Sequence, residues 1–237
     1  MNILRNVWKE FSDKFGGTWY YWNSLSGSIL LIKEIKRVLS KYVKKDYTVL
    51  DVGAGRLFYR DIIKVYTNNY KSMDFKKTHT DIDYIGTTSN IPLQNKTVDV
   101  IFCSQVLEHV PDPFETLKEF NRVLKTEGIA IITVPFLSYL HNEPYDFFRY
   151  TRYSLNKMSV DNGFEVLELK EIGGFFSFLG YIIGTFLISI SWRIPVVNWI
   201  IYCINYLIQI FILILERIIE TEKIFPFNYS LVIKKCG

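Results

Sequence analysis

The distribution of apolar and polar positions predicts alternating strands and helices beyond residue 46. Short apolar runs predict seven strands, at 47–52, 70–75, 82–86, 98–105, 129–136, 164–172 and 229–235. Apolar residues at helical spacing predict helices at 57–66, 113–128 and 151–163, the second ending at Gly128. Because alternating strands and helices build sheets whose strands run in parallel, we expect an α/β protein with a doubly wound, mostly parallel seven-stranded sheet.

The first 45 residues differ from this pattern. Residues 1–27 are aromatic and irregular, with "GGTWYYWNS" at 16–24. Residues 28–45 predict a helix with a basic face formed by Lys33, Lys36, Arg37, Lys41, Lys44 and Lys45. We interpret this face as solvated, with contact to an anionic membrane surface as the alternative.

A strongly apolar insert separates the sixth and seventh predicted strands. From Phe175 to Leu215 the only charged residue is Arg193, which lies between apolar pieces at 175–192 and 196–215. The first piece carries a stripe of small residues, and the second a narrow polar stripe, so two packed helices are predicted. The stripes comprise Ser177, Gly180, Gly184 and Ser191 on the first piece and Asn198, Tyr202, Asn205, Gln209, Glu216 and Glu220 on the second.

A surface helix of a soluble domain is polar over about half its circumference, so lipid or protein must cover this insert. We favour a hairpin embedded in or lying on a membrane. The alternatives are a lid over the substrate cleft or an interface in a homodimer, and a double span with Arg193 crossing the bilayer at a cost in free energy. The predicted domains are 1–45, 46–172, the hairpin at 173–225, and the final strand at 226–237.

Composition excludes several classes of protein. The net charge of +4 over 237 residues argues against a dedicated nucleic-acid binder. Three scattered cysteines without a C-x-x-C pair argue against a disulfide framework and a zinc site, so we expect no metal and a reducing, cytoplasmic compartment. Charges throughout the first 15 residues argue against a cleavable signal peptide.

Candidate binding residues lie at the ends of the predicted strands, where parallel sheets bind ligands. The first strand leads into Asp51, Gly53 and Gly55, and the second ends at Asp74, 23 residues after Asp51. Such glycines allow a ligand to approach the backbone, and such an acid accepts hydrogen bonds from ribose hydroxyls. No P-loop is present, and Leu57 stands where a third glycine would complete a dinucleotide fingerprint. A nucleoside without phosphates fits this pattern best.

Five segments together resemble the class I S-adenosylmethionine-dependent methyltransferases. They are "VLDVGAG" (49–55), Asp74, "NIPLQNKTVDVIFCSQVLEHVPDP" (90–113), "EFNRVLKTEGIAIITVP" (119–135) and "GFEVLEL" (163–169). The resemblance implies a Rossmann-like methyltransferase fold with S-adenosylmethionine as the cofactor.

The resemblance also implies roles for the residues at the strand ends. Asp51, Gly53 and Gly55 would wrap the methionine part of the cofactor, and Asp74 would hold the ribose. Gln105 would be a polar contact within the stretch 103–106 that flanks the cofactor. Thr87 stands where an aspartate commonly contacts the adenine, a change that weakens or rearranges binding.

The segment after the fifth strand, 136–151, would form the acceptor site. We expect His141 to be the general base, with His109 as the second choice; each is alternatively a structural histidine. Tyr145, Asp146, Arg149 and Tyr150 are the candidate acceptor-binding residues, although Arg149 could equally pair with Asp146 and brace the loop. The stretch "EPYDFFRYT" (143–151) resembles a subset of these methyltransferases found in polysaccharide biosynthesis.

These observations predict an enzyme at the inner face of the cell membrane, associated through 175–215. It would O-methylate a glycan or a lipid-linked surface-polysaccharide intermediate. A prenylated quinone or another lipid is the alternative acceptor. A methyltransferase-like protein without catalysis, acting as a membrane-anchored partner, is the third possibility.

Overall fold

A computed structural model describes Asn6 and residues 26–237. The aromatic stretch predicted at 16–24 lies outside the described residues. Within them, contacts divide the chain into two compact units. One comprises residues 26–33 and 171–227, and the other comprises Glu34–Lys170 and Asn228–Gly237. The predicted domains at 1–45, 46–172, 173–225 and 226–237 stay predictions.

A seven-stranded sheet with the order β3-β2-β1-β4-β5-β7-β6 forms the centre of the larger unit. Strands β1 to β5 pair in parallel, and β7 pairs antiparallel to β5. This is the mostly parallel, doubly wound sheet predicted from the sequence. The strands are β1 Thr48–Val52, β2 Asn69–Asp74, β3 Tyr84–Ile85, β4 Val98–Ser104, β5 Leu124–Pro135, β6 Phe164–Ile172 and β7 Asn228–Lys235.

Six α-helices occur in residues 26–237, together with a short 3-10 turn at Leu107–His109. Two helices begin at side-chain caps. Asp112 accepts a hydrogen bond from the main-chain N–H of Glu115, and Thr151 accepts one from that of Ser154. The helices are α1 Ser26–Tyr42, α2 Arg60–Lys64, α3 Pro113–Val123, α4 Arg152–Asp161, α5 Phe175–Ser191 and α6 Pro195–Ile218.

The prediction that the helix beginning at residue 113 ends at Gly128 is wrong. Helix α3 ends at Val123, and Leu124 is already extended and paired with Val98 of β4. Gly128 lies inside β5, where an added Cβ would be 2.8 Å from the carbonyl oxygen of Lys125. Apolar residues at helical spacing continue past Val123, but these residues form β5 because pairing with β4 outweighs their local helical preference.

The core forms where the central strands are covered on both faces. Residues of β1, β4 and β5 such as Leu50, Ile101 and Ile132 are fully buried, as near-continuous apolar runs in parallel sheets require. Cys103 belongs to this core, and its side chain is completely buried. The stretch 103–106 therefore reaches the strand-end region only through its later residues.

The basic face of α1 is partly neutralised by ion pairs within the larger unit. Arg37 and Lys41 both pair with Glu168, and Arg37 also pairs with Glu34. Burial opposes the ionisation of Glu168, but hydrogen bonds from Arg37, Lys41 and Tyr42 outweigh it and bring its pKa to about 2. These contacts favour the interpretation of a structural, solvated face over a membrane-binding one.

Helices α5 and α6 form the predicted hairpin, with the polar stripe of α6 facing the small residues of α5. A Cβ added to Gly184 would lie 2.9 Å from the side-chain oxygen of Asn205, and one added to Gly180 would lie 2.7 Å from Ile212. Gln209, fully buried, donates to the carbonyl of Gly180. The small-residue stripe is thus what allows the helices to approach each other.

The outward surface of α6 is apolar. Its exposed side chains include Val196, Trp199, Ile200, Ile204, Leu207, Phe211, Ile214 and Ile218. Among the described helices, Pro195–Ile218 is the one that is long and apolar enough to cross a membrane by length and composition, with a mean hydropathy of 1.9. The 17-residue helix α5 is also apolar but shorter.

Candidate active site

The turn after β1 is tied to the end of β2. The main-chain N–H groups of Gly53 and Ala54 both donate to the carbonyl of Met73, at 2.9 and 3.0 Å. The N–H of Gly55 donates to the carboxylate of Asp74 at 2.7 Å. Parallel pairing of β1 with β2 and β4 brings these strand ends to one edge of the sheet, where a ligand is expected.

The two glycines of this turn have different surroundings. Both adopt positive φ, 73° at Gly53 and 53° at Gly55, in the region that favours glycine. Val106 packs over Gly53, since an added Cβ would lie 2.5 Å from its side chain. An added Cβ at Gly55 would meet no atom closer than 4.0 Å. Val106 therefore occupies the space that a side chain at position 53 would need, whereas the corresponding space at Gly55 is open.

Leu57, which occupies the position of a third glycine, also has a positive φ of 61°. Its side chain is buried against Ala54 and Ile82. A left-handed conformation costs a non-glycine residue about 1–2 kcal/mol. The chain thus retains the backbone geometry of a glycine at this position, and burial of the leucine side chain offsets the strain.

Two carboxylates lie beside the turn. Asp51 is buried and accepts a hydrogen bond from the hydroxyl of Tyr70 at 2.7 Å. Burial raises the pKa of Asp51 to about 7; the Tyr70 hydrogen bond lowers it, and the charge of Asp74 raises it further. Asp74 is also buried and holds the glycine turn through Gly55. Its predicted contact with ribose hydroxyls stays a prediction.

The other two predicted cofactor contacts have partners of their own. Gln105 has a positive φ of 56°, and its side-chain amide lies 3.3 Å from the hydroxyl of Thr133 on β5. Thr87 is exposed, and its hydroxyl lies 3.3 Å from that of Ser89. Both roles in cofactor binding stay predictions.

The predicted acceptor segment is fastened to the 3-10 turn at Leu107–His109. The N–H groups of Phe147 and Phe148 both donate to the main-chain carbonyl of Glu108, at 2.9 and 3.2 Å. The buried hydroxyl of Tyr150 donates to the carbonyl of Leu107 at 3.0 Å. This docking brings a segment that follows β5 against the turn that follows β4.

Asp146 and Arg149 brace the same segment. Two nitrogens of the Arg149 guanidinium donate to the Asp146 carboxylate at 2.6 and 2.8 Å, and a further bond runs from Arg149 to the carbonyl of Tyr139. Asp146 also accepts from the main-chain N–H of His141. The structure thus gives Asp146, Arg149 and Tyr150 structural contacts, whereas Tyr145 is exposed, and their roles in acceptor binding stay predictions.

The two candidate bases lie side by side. The rings of His109 and His141 are 4.8 Å apart between centroids and nearly perpendicular. In each ring Nδ1 lies within hydrogen-bond distance of a main-chain carbonyl: 2.9 Å from Tyr145 for His109, and 3.1 Å from Tyr139 for His141. A carbonyl only accepts, so we assign the ring proton to Nδ1 and the lone pair to Nε2 in both.

Burial lowers the pKa of both histidines, and the neighbouring His141 lowers that of His109 further. Both rings are therefore neutral near pH 7 and hold an unprotonated Nε2, as a general base must.

Glu108, which the sequence interpretation did not single out, lies directly beneath these histidines. Its side chain is fully buried, and burial raises its pKa to about 8, against lowering by its own main-chain N–H and by Arg149. Glu108 lies within the segment 90–113, but nothing in the local sequence indicates that a glutamate beside a histidine is buried. Only the docking of the segment 136–150 shows that it is enclosed.

The central part of the chain is similar to a known protein family. Residues 50–132 match the family described as methyltransferase domain. The match covers 83 of the 237 residues. The match begins in β1 and ends in β5, so it contains the glycine turn, Asp74 and the 3-10 turn at Leu107–His109. The resemblance to class I S-adenosylmethionine-dependent methyltransferases is confirmed, and S-adenosylmethionine is the cofactor of that class.

Curated relatives share the methyltransferase domain at modest identity. An uncharacterised protein of Methanocaldococcus jannaschii is 31% identical over 112 residues, 44% of this chain and 48% of that protein. The ubiquinone/menaquinone biosynthesis C-methyltransferase UbiE of Campylobacter jejuni is 27% identical over 116 residues, 42% of this chain and 49% of the enzyme. A ubiquinone biosynthesis O-methyltransferase of Actinobacillus pleuropneumoniae is 27% identical over 154 residues, 55% of this chain and 66% of the enzyme. The chain spans about half the length of the first two.

Solved structures support the fold of the methyltransferase domain. Phosphoethanolamine N-methyltransferase 2 of Haemonchus contortus, solved with S-adenosyl-L-methionine, is 12% identical with a TM-score of 0.57, over 85% of this chain and 52% of that one. The cyclase SpnF is 14% identical with a TM-score of 0.59, over 86% of this chain and 81% of that one. Likeness to a cyclase and a methyltransferase alike shows that the fold does not decide the reaction.

Replacing Asp51 with Asn should reduce the pH dependence of stability between about pH 4 and 7. The pKa of this carboxyl has its ordinary value of 3.8 in the unfolded chain and rises to about 7 in the folded protein. The folded state therefore binds more protons in this window, and wild-type stability falls as pH rises, by on the order of 1 kcal/mol per pH unit. Urea unfolding at a series of pH values measures the slope.

The control for this prediction is Asp61→Asn, because Asp61 is a largely exposed carboxylate. This variant should keep the wild-type slope. Equal slopes for Asp51→Asn and the wild type would show that the buried carboxyl does not titrate in this range.

Proposed function

We propose that the protein is an S-adenosylmethionine-dependent methyltransferase that acts on a membrane-borne acceptor. The observation that carries the proposal is the turn after β1. It leaves Gly55 open to a ligand and places the buried carboxylates of Asp51 and Asp74 beside it. The sequence here contains neither a P-loop nor a complete dinucleotide fingerprint. A positively charged nucleoside without phosphates therefore suits this turn better than a nucleotide does.

The residues of the turn fit this cofactor. An open glycine with positive φ lets a ligand contact the backbone, and the carboxylates of Asp51 and Asp74 complement an ammonium and a sulfonium. When bound, the cofactor supplies a methyl group on a sulfonium, which is already a good leaving group. The protein's main contribution is then alignment, which can lower the barrier by ~7–11 kcal/mol.

His141 is the residue that would remove a proton from a hydroxyl acceptor. Its Nε2 carries the lone pair, and its main-chain N–H is held by Asp146, so the ring is oriented by two contacts on its own segment. General-base catalysis by such a group adds ~10²–10⁴-fold. His109 is the second choice, because Asn142 lies 3.2 Å from its Nε2.

The acceptor that we favour is a glycan intermediate carried on a lipid. Its support is the resemblance of "EPYDFFRYT" to polysaccharide-modifying methyltransferases and the exposure of aromatic side chains on that stretch, which suit contact with a sugar ring. A prenylated quinone is the second candidate, because two relatives are named as ubiquinone biosynthesis methyltransferases.

Association with the inner face of the cell membrane is proposed from the α5–α6 hairpin. Asn205, Gln209 and Glu216 of α6 are buried, whereas many of the large apolar side chains of the hairpin are exposed. This is the reverse of a soluble helix pair and the arrangement expected against lipid. With 17 residues, α5 is about 25 Å long, shorter than the ~30 Å apolar core of a bilayer, which favours an embedded hairpin over a double span.

Gly55→Ala should weaken S-adenosylmethionine binding by on the order of tenfold, and its positive φ should cost about 1–2 kcal/mol of stability. The new methyl group enters the open space over the turn, where the cofactor is expected, and contacts no protein atom closely. Isothermal titration calorimetry measures the affinity, and thermal unfolding measures the stability.

Gly163→Ala is the matched control for Gly55→Ala. Gly163 also has positive φ, 79°, but follows α4 and is not at the strand ends, so this variant should bind the cofactor like the wild type. A wild-type protein that shows no heat at millimolar cofactor would contradict the enzyme hypothesis and favour a non-catalytic partner protein.

Incubation with methyl-labelled cofactor and a membrane extract should transfer label to the organic-solvent fraction. Mild acid, which cleaves sugar–phosphate links, should then release the label into water if the acceptor is a lipid-linked glycan. Label that stays in the organic phase identifies a quinone or another lipid instead. His141→Ala should slow transfer by ~10²-fold or more, while His79→Ala serves as the control outside the site.

The Leu207→Lys/Phe211→Lys variant should lose binding to vesicles of phosphatidylethanolamine and phosphatidylglycerol. Both side chains are exposed on α6, so the charges oppose insertion into lipid without disturbing the buried stripe. Flotation in a density gradient measures binding. Val65→Lys/Val160→Lys, at exposed apolar positions of the larger unit, is the matched control. Equal flotation of both variants, or a wild type that does not float, would favour the lid or dimer interpretation.

A further inference from the structure

Three potential metal ligands converge where the segment 136–150 docks on the 3-10 turn. One side-chain donor atom from each of Glu108, His109 and His141 lies within 4.8 Å of the others. Nε2 of His109 is 3.7 Å from Oε1 of Glu108, and Nε2 of His141 is 4.0 Å from the same oxygen. These separations are too long for hydrogen bonds, so the three groups are not a hydrogen-bonded relay.

The carboxylate of Glu108 lacks the partners that a buried acid normally has. Neither of its oxygens has a hydrogen-bond partner in the described part of the chain, although the side chain is fully buried. A buried acid of this kind destabilises the fold unless another group compensates it. The groups nearest to it are the two imidazole nitrogens that carry lone pairs.

Both histidines are oriented as metal ligands are. Each uses Nδ1–H to donate to a main-chain carbonyl, which leaves the lone pair on Nε2, the nitrogen that lies within 4.0 Å of Glu108. Donation of the second ring nitrogen to a carbonyl is the usual outer contact of a metal-binding histidine. Two neutral imidazole nitrogens therefore lie 3.7 and 4.0 Å from a buried carboxyl group without a hydrogen bond to it, and an ion bound among the three would take the place of the carboxyl proton.

We propose that Glu108, His109 and His141 bind a divalent transition-metal ion, with Zn²⁺ as the best match. Ligand atoms about 2.1 Å from a tetrahedral ion lie roughly 3.4 Å apart. The observed separations of 3.7 and 4.0 Å, and of up to 4.8 Å within the cluster, must therefore contract when an ion binds. Asn142, which is exposed and lies 3.2 Å from Nε2 of His109, is the contact that the ion would replace.

Two histidines and one glutamate leave a coordination position open, as catalytic zinc sites do. An acceptor oxygen could occupy it, because His141 belongs to the predicted acceptor segment; this role rests on the proposed function, whereas the site itself does not. With an ion bound, the lone pair of His141 is a ligand, and His141 would act through the ion instead of as the base.

This inference departs from the expectation that the chain holds no metal. That expectation rested on the scattered cysteines, which remain unsuited to a zinc site. The proposed ligands come from two segments more than 30 residues apart and have no recognisable spacing, so the sequence could not reveal them.

Titration of the tag-free, chelator-treated full chain with Co²⁺, followed by visible absorption, tests the site directly. We expect one equivalent to bind with the spectrum of a four- or five-coordinate ion, and Zn²⁺ to displace it. Glu108→Gln and His141→Ala should each weaken binding by at least about tenfold. His79→Ala, at a histidine outside the cluster, and Cys203→Ser/Cys236→Ser, which removes the exposed thiols, should bind like the wild type.

Absence of stoichiometric Co²⁺ binding by the wild type would overturn the inference, and so would an equal loss in His79→Ala or in the cysteine variant. Circular dichroism checks the fold of each variant, and if Glu108→Gln unfolds, His141→Ala and the wild-type spectrum decide. Because binding is measured without cofactor or acceptor, failure of methyl transfer leaves the result intact. Conversely, methyl transfer by a protein that binds no ion would support the proposed function and contradict the metal site.

Discussion

The site depends on how the turn after β1 is fixed to the end of β2. Three main-chain N–H groups, those of Gly53, Ala54 and Gly55, are satisfied by the carbonyl of Met73 and the carboxylate of Asp74. A turn with its polar groups paired in this way cannot rearrange without leaving buried donors unsatisfied. The same bonds keep Asp51 and Asp74 close enough for the charge of one to raise the pKa of the other. The chemistry proposed for the turn follows from this backbone constraint.

A second constraint builds the other half of the site. The carbonyl of Glu108 accepts two N–H groups from the segment after β5, and this docking encloses the Glu108 side chain beneath two histidines. The same segment supplies the carbonyls of Tyr145 and Tyr139, which fix the tautomers of His109 and His141. Whether the histidines serve as bases or as ligands, their orientation has the same origin.

The sequence predicted features that depend on local pattern and failed where distant segments meet. The strand ends at Asp51 and Asp74, and the two apolar helices, could be predicted because periodicity and glycine positions are local signals. The early end of α3 could not, because Leu124 leaves the helix to pair with Val98. The sequence did not decide whether Arg149 pairs with Asp146 or binds an acceptor, because a guanidinium three residues from a carboxylate can do either. The burial of Glu108 needed the complete fold.

The α5–α6 hairpin extends the same logic to a pair of helices. Gln209 and Asn205 are fully buried between the helices, and their hydrogen bonds to each other and to the carbonyl of Gly180 satisfy groups that would be costly in an apolar medium. In water, nothing would require these polar groups to face inward while Leu207 and Phe211 face out. In lipid, that arrangement keeps the side-chain amides of Asn205 and Gln209 hydrogen-bonded and away from the apolar surroundings. The direction of the polar stripe, more than the hydropathy of either helix, is therefore the observation on which the proposal of membrane association rests.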